Sequence, residues 1–112
     1  MGTSQSDNKR KIGDDLEDLV IKKLGPSFSK TANSGAVYQD GDIKHRQLVV
    51  ECKVKQTPGF SAPTTELKKL WKEADKQCKD WLYIEKNQNN KIFVLMSLDT
   101  FLELSEDWRN KH

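Results

Sequence analysis

The stretch Asp42-Ile43-Lys44-His45-Arg46-Gln47-Leu48-Val49-Val50-Glu51-Cys52-Lys53 concentrates the residues of this chain that can do chemistry. It reads as two short β-strands, with an acid at the start of the first and an acid-x-lysine triplet on the second. Side chains alternate between the faces of a sheet, so Glu51, Lys53 and Lys55 share one face while Val50, Cys52 and Val54 share the other. Three charged groups in a row on one face of an apolar strand are costly to bury unpaired. They are accounted for if that face borders a cleft where a divalent cation neutralises the acids. Asp42 follows Gly41, and a tight connection between the strands brings it beside Glu51. Two carboxylates on adjacent strands, with the Cys52 backbone carbonyl between them, form the hard oxygen set that Mg²⁺ prefers, with Mn²⁺ as a substitute.

The elements that position these groups are legible on either side. Residues 14–24 carry Leu16, Leu19, Val20, Ile21 and Leu24, preceded by Ile12, at helical spacing. Gly25-Pro26 stops the helix. Stepping about 100° per residue puts Glu17 between Leu24 and Ile21 on the helical wheel. It is either an ordinary edge glutamate or a third acid of the site. Asp40 is a further acid near Gly41, read as a turn residue. After the motif strand, residues 56–63 form a loop rich in turn residues. Thr64 or Thr65 caps a helix running to about residue 80, with Leu67, Leu70, Trp71, Ala74 and Cys78 on its apolar stripe. Residues 81–85 and 92–96 read as strands joined by an asparagine-rich turn, and Ser97 caps a last helix containing Leu98, Phe101, Leu102 and Trp108. Helix, three strands, helix, two strands and helix make an α/β fold with a central mixed five-stranded sheet flanked by helices.

The set Asp42 and Glu51-Cys52-Lys53 resembles the D…(D/E)xK signature of the PD-(D/E)xK nuclease superfamily. With a glutamate-bearing first helix in a small domain, the chain looks most like the archaeal-type Holliday junction resolvases and their viral relatives. The similarity runs roughly from Ile12 to Met96, with Gly41 where proline often stands. The resemblance implies a restriction-endonuclease-like core, in which Glu17 joins Asp42 and Glu51 as metal ligands. It also implies that Ser34, in Thr31-Ala32-Asn33-Ser34-Gly35-Ala36, contacts the scissile phosphate from a mobile loop; otherwise Ser34 is a turn serine beside Gly35. On this reading residues 1–11 are a flexible basic arm and residues 12–112 a single nuclease domain.

Phosphodiester hydrolysis needs an activated water and a polarised phosphate, which a Mg²⁺ ion held by Asp42, Glu51 and Glu17 supplies. Lys53, beside two carboxylates, suits electrostatic help better than general-base work. The net charge of +2 hides basic clusters. Lys9-Arg10-Lys11, Lys30, Lys44, Arg46, Lys55, Lys68, Lys69 and Lys72 are candidate phosphate contacts, although charge runs on helices are commonly solvated faces. No base-reading motif is present, so the expected substrate is selected by shape. A four-way junction presents two symmetric strands, which calls for a twofold homodimer. Phe93, Phe101 and Trp108 either contribute to that interface or close the monomer's own core, the latter being the simpler reading residue by residue. The alternatives are a nuclease acting on flaps, ends or duplex, a non-catalytic DNA-binding module on the same fold, and an unrelated α/β adaptor. The two cysteines, Cys52 and Cys78, lack metal-ligand spacing and are read as reduced core thiols. No apolar run is long enough to span a bilayer, and no secretory signal pattern opens the chain. The expected location is cytoplasmic, for a nucleoid-associated protein or a viral protein acting in its host cell.

Overall fold

The computed structural model describes residues 5–31 and 42–112, with side chains from residue 12 onward. Its elements are α1 (Gln5–Leu24), β1 (Ser29–Lys30), β2 (Ile43–Lys44), β3 (Leu48–Val54), α2 (Thr64–Lys76), β4 (Asp80–Lys86), β5 (Ile92–Met96), α3 (Leu98–Leu104) and α4 (Glu106–Lys111). The strands form one five-stranded sheet in the order β1-β2-β3-β4-β5. It is mixed: β3 and β4 run parallel, and the other neighbouring pairs are antiparallel. The parallel pair requires a crossover, and α2 supplies it.

Alternation along β3 divides the core in two. Val50 and Leu48 join Ile43, Leu82 and Ile84 beneath Leu16 and Val20 of α1, with Cys52 and Val54 packed at the margin. Val49 faces the other way and packs with Tyr83, Leu70 and Ala74 of α2. Helices on both faces of the sheet thus give the expected α/β arrangement. No helix among the described residues is long and apolar enough to cross a membrane.

Several local expectations are corrected. The first helix begins at Gln5 rather than at residue 14, so the segment read as a flexible arm is helical from Gln5. Gln, Lys and Arg are good helix formers, and they outweigh the cost of about 1 kcal/mol for Gly13 in a helix interior. The apolar stripe of α1 is also narrower than expected: Leu16 and Val20 are buried, whereas Ile12, Leu19 and Leu24 are exposed. Pro63, with no side-chain capping bond, occupies the N-cap of α2, where Thr64 or Thr65 was expected.

Cys78 does not lie on the α2 stripe. The helix ends at Lys76, and Cys78 follows in the left-handed region with φ of 55°. Its N–H donates to the Asp75 carbonyl at 3.1 Å and that of Lys79 to the Ala74 carbonyl at 2.9 Å, the paired bonds of a Schellman stop. The thiol is therefore exposed rather than in the core, while Cys52 is half-buried. Ser97 does cap α3, its Oγ accepting the Thr100 N–H at 3.1 Å. The expected last helix is broken at Ser105 into α3 and α4, and α4 buries none of its residues.

Candidate active site

Asp42 stands at the entry to β2 and is tied to the residues on both sides of Glu51. Its N–H donates to the Val50 carbonyl at 2.8 Å, and its Oδ2 accepts the Cys52 N–H at 2.8 Å. A side-chain oxygen thus takes a β3 amide next to the last paired residues of β2, Ile43 with Val50 and Lys44 with Val49. This bracketing brings the two carboxyls together. Burial first, and then the Asp42 charge, push the Glu51 carboxyl up to about 7 against the opposing influence of Lys53. The Lys53 Nζ lies 3.5 Å from Glu51 Oε1.

Glu17 is half-buried, next to the buried Leu16 on α1. Burial, followed by the Asp42 charge and a hydrogen bond with Asp14, raises its carboxyl to about 7, with Lys30 opposing. The Cys52 thiol registers all three acids. Burial raises its pKa most, and Asp42, Glu17 and Glu51 add to the shift in that order. The Cys52 backbone is tied directly to one of these acids, through its N–H to Asp42 Oδ2.

The α2 side of β3 opens into a cleft of about 280 Å³, floored by Val49, Glu51 and Lys53 and walled by Glu66, Lys69, Leu70 and Glu73. Sequence reasoning missed the two α2 acids. Their available signal is spacing, since Glu66, Leu70 and Glu73 follow the three- and four-residue steps of one helix face.

The remaining site candidates divide into distinct groups. Lys44 and Arg46 are exposed at the β2–β3 connection, and Lys68, Lys69 and Lys72 are exposed on α2. Lys30 is paired with Asp18 at 3.0 Å and with Asp14 at 3.8 Å, and the Asp18 hydrogen bond is the main cause of its raised pKa. Lys55 is paired with Glu66 at 3.4 Å. Ser34 and Asp40 lie outside the described residues, as do the side chains of Lys9, Arg10 and Lys11.

Comparison with protein-family models, with curated proteins and with solved structures finds no match.

Among the described residues, no three His, Cys, Asp or Glu side chains are grouped to hold a metal ion. Asp42 Oδ2 is engaged by the Cys52 amide and Glu51 leans on Lys53. The chemistry of the donors still fits a hard divalent cation. All are oxygens, and Glu17 and Glu51 are both raised to about 7 by burial and by Asp42. Positive charge placed among them would relieve that repulsion.

Proposed function

We propose that this protein is a metal-dependent, structure-specific DNA endonuclease with a restriction-endonuclease-like core, and that its substrate is a four-way junction. The observation that carries the reading is the bracketing of Glu51 by Asp42, with Lys53 at 3.5 Å from Glu51 and Glu17 within the field of Asp42. The order of helix, three strands, helix and two strands adds support, because it is the core arrangement that the resemblance implies.

Asp42, Glu51 and the Cys52 carbonyl would hold Mg²⁺ or Mn²⁺, with Glu17 as a direct or water-bridged partner. A bound ion supplies Lewis acidity toward a phosphate oxygen and a water of lowered pKa. The chain's own groups do the rest. Asp42 and Glu51 would fix the position of that ion relative to β3. Lys53 presents an ammonium where negative charge grows on the phosphoryl oxygens. The exposed Lys44, Arg46, Lys68, Lys69 and Lys72 meet the phosphate backbone without reading bases.

The C-terminal surface supports a homodimer. Leu98 is 70% exposed, Trp108 63%, Val94 52% and Phe101 48%, so these side chains do not close the monomer's core. β5 is an edge strand without a charged residue, the kind of edge that a second chain covers. A twofold pair would present one cleft to each of two symmetric strands.

Thermal melting with Mg²⁺ or Mn²⁺ tests the metal site. The parent protein is expected to gain stability with metal, and Glu51→Gln to lose that gain. A parent protein indifferent to both ions would overturn the site.

A further inference from the structure

A buried polar chain runs from the cleft wall into the sheet. Tyr83 stands beside Glu51 in the parallel register of β3 and β4, and Glu85 stands beside Lys53. Both β4 side chains are fully buried. The Tyr83 hydroxyl donates to Glu66 Oε2 at 2.9 Å and approaches Glu85 Oε1 at 3.5 Å. Glu85 Oε2 accepts the Ser61 N–H at 2.7 Å, which ties down the loop leading into α2. Glu66 is thus pinned at the first turn of α2 by a buried hydroxyl and a tethered loop.

Its free side faces two lysines. Lys55 Nζ lies 3.4 Å from both Glu66 oxygens, and Lys53 lines the same cleft. Burial alone would raise the Glu66 carboxyl, but the Tyr83 hydroxyl and the charges of Lys55 and Lys53 outweigh it and lower the pKa. Lys53, paired with Glu51 at 3.5 Å, lines the same cleft as Glu66. Lys55, on the same strand face, is paired with Glu66 at 3.4 Å.

We infer that Glu66, held by Tyr83, is a positioning residue that keeps Lys53 over the reacting phosphate and withholds Lys55 from the DNA backbone. The inference rests on the nuclease reading and adds a residue from outside its signature. Its physical content is a trade. An acid beside the phosphate path weakens ground-state binding, since each lysine it engages is one fewer counterion-releasing contact. In return the Lys53 ammonium is fixed where transition-state charge develops, and such interactions raise turnover rather than affinity.

Glu66→Gln separates this role from a structural one, because the amide oxygen still accepts the Tyr83 hydroxyl while the charge is lost. Binding of labelled four-way junction and duplex is measured in EDTA across a salt series, and cleavage is measured at saturating junction with Mg²⁺. The variant is expected to melt with the parent and to bind more tightly, with a salt slope steeper by about one unit. Its cleavage should be slower by about tenfold or more. Lys55→Gln in the Glu66→Gln background should return the slope to the parent value. Tyr83→Phe should reproduce the slower cleavage in part, at some cost in stability. Unchanged binding and cleavage in Glu66→Gln, or weaker binding together with a lower melting temperature, would overturn the assignment. A parent protein that binds DNA but never cuts removes the nuclease reading, while the salt slope still reports whether Glu66 withholds Lys55. A parent that binds no DNA overturns both.

Discussion

The Asp42 carboxylate accepts the Cys52 backbone N–H at 2.8 Å, so one acid both completes the β2–β3 junction and charges the site. The two roles separate chemically. Asp42→Asn keeps an acceptor for the amide and removes the negative charge that raises Glu17 and Glu51. Without metal, Asp42→Asn should be at least as stable as the parent at pH 8. Asp42→Ala leaves the amide unpaired and should be less stable than the Asn variant by about 1 kcal/mol. Both should lose metal-induced stabilisation. Denaturant melts of the three proteins with and without Mg²⁺ check this, and an Asn variant as unstable as the Ala variant contradicts it.

The pH response follows from the same carboxyls. Glu17 and Glu51 have native values near 7 against an ordinary 4.5. Between those values the native protein holds protons that the unfolded chain has released. Their contribution to stability is therefore full below about 4.5, declines as pH rises toward 7 and is absent above it. Metal binding must displace the same protons, so Mg²⁺ affinity should strengthen as pH rises through 7. Calorimetric titrations at pH 6 and pH 8 should show tighter binding at pH 8, with more protons released at pH 6. Equal affinity at both would mean that these acids are not the ligands.

Gly13 tests the continuity of the first helix. It lies inside α1, and an added Cβ would meet nothing within 4 Å. Gly13→Ala should therefore stabilise the protein by about 0.5–1 kcal/mol and raise the melting temperature by about 2–5 °C. No gain would mean that the helix does not run through this position.

The C-terminal surface makes a separate prediction. Trp108 is 63% exposed and α4 buries none of its residues. Trp108→Glu should leave monomer stability within about 0.5 kcal/mol, and if the parent sediments as the proposed dimer the variant should shift toward monomer. Parent protein that sediments as a monomer at micromolar concentration would remove the dimer from the account.

What the sequence made legible was whatever local periodicity and short connections determine. Alternation along β3 placed Glu51 and Lys53 opposite Val50 and Cys52, because a strand's period is fixed by its geometry. The short β2–β3 connection was enough to bring Asp42 beside Glu51. The cleft wall was not legible, since Glu66 meets Tyr83 across elements 17 residues apart in the chain and no local pattern encodes that meeting. Cys78 was misplaced because a Schellman stop without glycine carries no sequence signal. Phe93, Phe101 and Trp108 have the composition of core residues, and only tertiary packing leaves them exposed.

The most direct test incubates the purified protein with labelled four-way junction, flap, duplex and single-stranded DNA, in Mg²⁺ or EDTA, beside Asp42→Asn. Paired symmetric nicks are expected in the junction, absent in EDTA and in the variant. Junction binding without cutting under every condition would contradict the proposed activity and leave a DNA-binding module on this fold.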